Sequence, residues 1–303
     1  MSQIKIDSIA PAKADMWDWI WWNCPYSTYF HSREWAEIWS RYNKGTMSPQ
    51  PILIKFNDGT KALLPISLSN KRYVSSPAGT YGGWLSVDPL TRKHSALLIE
   101  YILSLGKLRW RINPYDELAV HKNMPVSRYD ETHTLHLSNG FDDIFSHWAP
   151  EHRRKVRKAL REGVSVRSAN NQKDWRAYFG TYEDTLRRWG KKAKYSYSWE
   201  LFEEMYRRKS SHIKLWVAEY QDTIVGGALN LHSKHHVAGW HAAVLEQYLP
   251  LSPAVLIQYT AIAHACEREY RWYDFNPSGG HSGVVLFKKG FGAITLPSPV
   301  IKL

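Results

Sequence analysis

Three runs decide the fold: Ile213-Lys-Leu-Trp-Val-Ala-Glu-Tyr220, Ile224-Val-Gly-Gly-Ala-Leu-Asn-Leu231 and His235-His-Val-Ala-Gly-Trp-His-Ala242. Each has strand length, and a tight Gln221-Asp222 turn separates the first two, so they predict three consecutive strands. Leu251-Ser-Pro-Ala254 comes next. Ser252 in N-cap position and Pro253 at the first helical position predict a helix running to about residue 269. A further strand, Trp272-Tyr-Asp-Phe275, leads into Gly279-Gly280 and Phe287-Lys-Lys-Gly-Phe-Gly292.

Upstream, residues 132–137 alternate as a strand, 141–163 read as one long helical stretch ending at a glycine, and 164–167 as a strand. Residues 174–189 and 199–209 predict two helices. The first half shows a similar alternation. Ser32 caps a short helix to Trp39; residues 51–56 and 61–68 flank Asn57-Asp-Gly59 as a hairpin; 95–105 are helical and 107–112 a strand. Pro77-Ala-Gly-Thr-Tyr-Gly-Gly83 forms a glycine-rich loop ahead of Trp84-Leu-Ser-Val87. Both halves are α+β with mixed sheets, and 303 residues at about 150 per domain fit two of them, 1–131 and 132–303.

Composition narrows the class. Apolar residues are 44% and charged residues 22%, which argues for a packed globular chain over disorder. No run approaches the roughly 18 apolar residues of a membrane helix, and residues 1–15 lack the basic and apolar regions of a secretory signal, so a cytoplasmic location is expected. Cys24 and Cys266 form no Cys-x-x-Cys pair and read as small buried hydrophobes. The net charge is +12, and the 15 Trp and 18 Tyr greatly outnumber the 9 Phe. Up to residue 140 there are 16 Lys and Arg against 12 Asp and Glu, leaving 24 against 16 beyond it, so the excess lies mostly in the second half. Such a chain suits phosphate-bearing partners: nucleic acid, a nucleotide, coenzyme A or anionic lipid.

The densest basic run is His152-Arg-Arg-Lys-Val-Arg-Lys-Ala-Leu-Arg161. On a helix Arg153, Arg157 and Arg161 share a face, with Arg154 and Lys158 beside them, and few acidic residues stand at four-residue spacing. Arg187, Arg188, Lys191, Lys192 and Lys194 make a second cluster at a helix end. The helix start at Ser252-Pro253 offers backbone amides to a pyrophosphate or an oxyanion. Metal chemistry is not expected: His235 and His236 are adjacent and point to opposite strand faces, and there is no His-Glu-x-x-His motif. No Gly-x-Ser-x-Gly elbow or phosphate-binding Gly-x-x-x-x-Gly-Lys-Ser loop occurs. The cluster Trp17, Trp19, Trp21 and Trp22 reads as core or inter-domain filling rather than a peripheral membrane contact.

Four features together resemble the Fem-type (FemABX or BioF2-like) branch of the GNAT-like acyltransferases: the basic helix 152–161, the strand pair with Gly226-Gly227-Ala228, the helix from Pro253, and Asp274-Phe275 followed by Phe287-Lys288-Lys-Gly-Phe-Gly. Phe30-His-Ser-x-x-Trp35 and Tyr81-Gly-Gly83 are similar to that family's N-terminal landmarks. The resemblance implies two tandem GNAT-like domains, the first degenerate and on the acceptor side, the second binding and transferring the acyl group. It implies an N-acyltransferase that forms an amide on a primary amine of a small molecule, peptide or cell-envelope precursor. The co-substrate would be aminoacyl-tRNA, slightly favoured by the charge, or acyl-CoA, with no metal.

On this reading Phe287 and Lys288 face the reacting carbonyl. Leu251, Ser252, Pro253, Ala254, Arg153, Arg154, Arg157 and Lys158 bind the donor, and Trp35, Tyr81, Arg188 and Tyr195 the acceptor. Asp274, Tyr195 and His281 are candidates for general base. One departure from the family's pattern is Trp39, which stands where peptidoglycan-branching members carry a phosphate-gripping lysine; this argues against a UDP-linked muropeptide acceptor. The alternative is a non-catalytic RNA- or nucleotide-binding protein that keeps the fold.

Overall fold

The computed structural model describes residues 3–118, 124–190 and 196–303, arranged as two compact units. The first comprises Met1–Thr132, Ser233–His235 and Leu296–Leu303. Its three-stranded antiparallel sheet has the order Ile6–Pro11, Ile52–Phe56, Lys61–Leu64. The hairpin expected around Asn57-Asp-Gly59 is present, with Gly59 at φ +90°. A six-stranded sheet runs Met47–Pro49, Ser67–Ser69, Arg72–Val74, Leu108–Arg111, Val300–Lys302, Val126–Arg128. Thus the C-terminal residues, placed with the second half by sequence, pair in the first unit: Ile301 lies opposite Trp110 and is buried in the core with Trp84.

Ser32 caps its helix as expected, accepting the Trp35 amide at 3.0 Å. The Arg92–Ser104 helix starts three residues before the expected point because Thr91 caps it, with His94 Nδ1 accepting the Thr91 amide at 3.1 Å. The N-terminal tryptophans divide: Trp17 and Trp21 are buried and donate to the carbonyls of His31 and Thr28, whereas Trp19 and Trp22 are exposed.

The second unit spans His133–His232 and His236–Thr295. Its strands are β1 (Glu131–His136), β2 (Ser165–Ser168), β3 (Ile213–Tyr220), β4 (Thr223–His232), β5 (His236–Val244), β6 (Trp272–Asp274) and β7 (Ile294–Pro297). Its helices are α1 (Phe141–Ser146), α2 (Pro150–Arg161), α3 (Gln172–Trp189), α4 (Trp199–Arg207), α5 (Pro253–Glu267) and α6 (Ser282–Lys289). The sheet order is β2-β3-β4-β5-β6-β1-β7. Strands β2 to β5 pair antiparallel, whereas β5 and β6 are parallel, joined by the α5 crossover.

Alternation along β3 assigns the two faces. Trp216 and Ala218 join the core of Val255, Leu256 and Ile262 from α5. On the other face the backbone of Gly227 lies so close to α3 that a Cβ there would meet the Tyr178 ring at 2.7 Å.

Two expectations need correcting. The stretch 141–163 is two helices, because Pro150 lacks an amide hydrogen and holds Ala149 extended at φ −51°, ψ 137°. Ser252 is not a side-chain cap. The turn Glu246–Leu251 delivers it at φ 60°, ψ 38°, in the left-handed region, and its hydroxyl makes no capping bond.

Candidate active site

The parallel pairing of β5 and β6 ends at Ala238 opposite Asp274. Beyond it β5 runs on to Val244 while β6 stops, so two neighbouring strands part. The β4–β5 register also slips here, since Leu229 faces His241 but Asn230 faces Gly239. Trp240 is therefore an extra, bulged residue, the usual device for re-aiming side chains beside a site. A cavity of about 450 Å³ fills the gap. Tyr182, Thr185 and Trp189 of α3 wall it on one side, Gln258 of α5 on the other, and Phe287 and Lys288 of α6 close one end.

Lys288 and Phe287 thus reach the cavity. Helix α6, which sequence left unassigned, carries them there. Lys288 is only 6% exposed, and its Nζ donates to the Asn276 carbonyl. Asn276 sits at φ 58°, a conformation that asparagine tolerates. Its amide donates to Asp274 Oδ1 at 2.6 Å and its Nδ2 to the Gly239 carbonyl at 2.9 Å. Asp274 is fully buried, with Oδ2 3.4 Å from His236 Nε2, and it is not on the cavity wall. Its carboxylate fixes the turn that receives Lys288. His281 lies on the wall beside Trp189.

His152, buried on the inner side of α2, donates from Nε2 to the Phe287 carbonyl at 3.0 Å. Burial lowers its pKa, which favours the neutral ring with the proton on Nε2. Phe291 packs edge-on against the same imidazole. Gly290 is obligatory here: a Cβ would meet the His152 ring at 2.4 Å. The glycine of Phe-Lys-Lys-Gly-Phe-Gly and the first residue of the basic run are therefore one packing unit.

The residues expected to bind the donor lie off the cavity wall. Lys158 Nζ donates to the Pro250 carbonyl at 2.8 Å, so α2 adjoins the turn leading into Leu251, Ser252, Pro253 and Ala254. Helical geometry puts Arg154 on the same flank as Lys158, with Arg153 and Arg157 about 100° or more away. Gln258, one turn along α5 from Ala254, reaches the cavity, where its Oε1 accepts the Tyr273 hydroxyl at 2.7 Å.

The acceptor set is dispersed. Trp35 and Tyr81 are fully buried in the first unit against Phe30, where they serve packing and offer no face to a ligand. Arg188 reaches toward the Val244 carbonyl (3.4 Å) and Asp184 (3.9 Å), off the cavity wall. Tyr195, Lys191, Lys192 and Lys194 lie outside the described residues. Sequence reading missed His241, Tyr178, Gln258 and Asn276. None belongs to a spaced motif; the bulge and the strand separation bring them together. Among the described residues no group of three or more His, Cys, Asp or Glu forms a metal site, and no helix is long and apolar enough to cross a membrane.

Residues 149–283 match the family model for the acetyltransferase (GNAT) domain. No curated protein matches the chain in sequence. Among solved structures the chain is similar to FemX, at 12% identity and TM-score 0.70, over 98% of this chain and 97% of that one. It is similar to a conserved protein of unknown function from Bacteroides thetaiotaomicron, at 9% identity and TM-score 0.63, over 99% and 100%. A third likeness is to a tandem GNAT protein of the clavulanic acid biosynthesis pathway, at 11% identity and TM-score 0.55, over 98% and 97%. Over its whole length the chain therefore shares the tandem GNAT-like fold of FemX and the clavulanic acid pathway protein, and residues 149–283 match the acetyltransferase (GNAT) domain model.

Proposed function

We propose that this protein is an N-acyltransferase that forms an amide at the cavity between β5 and β6. The observation that carries the reading is a lysine ammonium, Lys288, held by a backbone carbonyl on the wall of an otherwise largely apolar cavity. The amine nitrogen attacks the acyl carbonyl carbon, a C–N bond forms, and the ester C–O or thioester C–S bond breaks. The amine proton finally balances the leaving alkoxide or thiolate. Lys288 meets the developing negative charge on the carbonyl or leaving oxygen, where a fixed cation in a site of low dielectric is most effective.

Aminoacyl-tRNA is the donor favoured by the charge of +12 and by the basic helix α2, whose Lys158 abuts the start of α5. The match to the acetyltransferase (GNAT) domain supports acyl-CoA as the second reading. In either case the turn Leu251–Ala254 with Arg154 and Lys158 takes the donor phosphates, and the aromatic wall of Tyr182 and Trp189 takes the acceptor.

The test is binding and transfer with charged tRNA, uncharged tRNA and acetyl-CoA over a salt series, using a panel of primary amines. A steep fall of log affinity with log salt for charged tRNA, followed by amide formation, establishes the first reading. Acetyl-CoA binding with a shallow slope and acetyl transfer establishes the second. Binding without transfer from either donor overturns the enzyme assignment.

A further inference from the structure

On the wall of the same cavity stands His241, paired from behind with a tyrosine to which the reading above gives no part. Tyr178 is fully buried under β4, and its hydroxyl lies 2.5 Å from His241 Nδ1. Among the described residues Tyr178 Oη has no other hydrogen-bond partner. A buried phenol that failed to donate its hydrogen would lose about 1–3 kcal/mol, so Tyr178 donates and Nδ1 accepts. The neutral imidazole then carries its proton on Nε2. Burial supports both halves of this arrangement, raising the Tyr178 pKa and pushing that of His241 down to about 3.

The rest of the ring is clamped. Tyr182 meets it edge-on at 4.4 Å between centroids and Phe202 at 5.2 Å, while Gly227 lets Tyr178 approach the sheet. Nε2 has no protein partner among the described residues, and the residue is half-buried on the cavity wall. No carboxylate of the described residues lines that wall.

We infer that His241, locked by Tyr178, presents a fixed Nε2–H donor to a carbonyl or oxyanion oxygen of the group bound in the cavity, and does not act as the base that deprotonates the amine. This deepens the acyl-transfer reading and rests on it for the identity of the oxygen. The carbonyl carbon becomes tetrahedral as the C–N bond forms, and its oxygen takes up the electron pair. A donor already oriented by Tyr178 needs no rearrangement to meet that charge.

The test has two arms. In 15N-labelled full-length protein, long-range proton–nitrogen correlation of His241 is expected to show the proton on Nε2. In Tyr178→Phe the preference for that tautomer should weaken. In parallel, turnover is measured with whichever donor the unmodified protein uses. His241→Gln, whose amide places N–H near the Nε2 position, should retain turnover within about fivefold, and His241→Ala should lose about 10²-fold with little change in KM. A proton on Nδ1 overturns the inference. So does a His241→Gln as inactive as His241→Ala, which would mark a base, or a His241→Ala with unchanged turnover. If the unmodified protein transfers from neither donor, the acyl-transfer reading fails, and the tautomer measurement still decides whether the donor exists.

Discussion

His152 Nε2 donates to the carbonyl oxygen of Phe287 at 3.0 Å, so the helix with the basic run also braces the residue next to Lys288. Gly290→Ala would push a methyl into that imidazole. We expect a loss of about 1–3 kcal/mol in urea unfolding, with turnover reduced more than donor affinity. His152→Ala should produce the same pattern by removing the brace.

Lys288→Ala should leave donor binding within about threefold and lower turnover by about 10²–10³-fold. Lys288→Met, which keeps most of the volume, should be equally slow and fold as well as the parent by thermal unfolding. Unchanged turnover in both would remove Lys288 from the chemistry.

Lys158→Gln should weaken donor binding. If the donor is charged tRNA, the slope of log affinity against log salt should shrink by about one. Arg154→Gln, on the same flank, should match it. Arg153→Gln and Arg157→Gln, on the other flank, should change it less. Equal effects from all four would point to a diffuse field in place of a local phosphate site.

Stability should fall on mild acidification. Burial holds the pKa of both His232 and His241 down to about 3, with nearby Lys214 and His264 adding to the effect at His232. In the unfolded chain both bind protons near pH 6.5, so between pH 6.5 and 3 the unfolded state binds more protons and stability declines as pH drops. The pair should cost about 4 kcal/mol between pH 7 and 5, read from urea midpoints. His232→Leu, which removes a buried Nε2 without a partner, should roughly halve that slope.

The fold was largely legible because its strongest signals are local. The three strands after residue 213, the proline-led helix and the hairpin at Gly59 follow from turn chemistry and periodicity. The segment Phe287-Lys-Lys-Gly-Phe-Gly292 stood out through the resemblance, and the structure brings Phe287 and Lys288 to the cavity. What stayed hidden depends on tertiary geometry. Nothing near Trp240 announces a bulge, so His241 reads as an ordinary strand residue until Tyr178 is seen 2.5 Å away. Trp35 and Tyr81 show the converse: a recognisable pattern can belong to residues whose surroundings bury them entirely. The helix break at Pro150 was within reach, since proline restricts the residue before it; the strong amphipathic pattern on both sides masked it.

Val300–Lys302 fills the place between Leu108–Arg111 and Val126–Arg128 in the first unit's sheet. During ribosomal synthesis that place stays empty until every strand of the other unit has been made. The unit that leaves the ribosome first is therefore the later one to complete its hydrogen-bonding, and a nascent chain stalled before residue 300 should display Trp110 and its neighbours to chaperones and proteases. Of the two units, the N-terminal one is the more exposed to the tempo of translation.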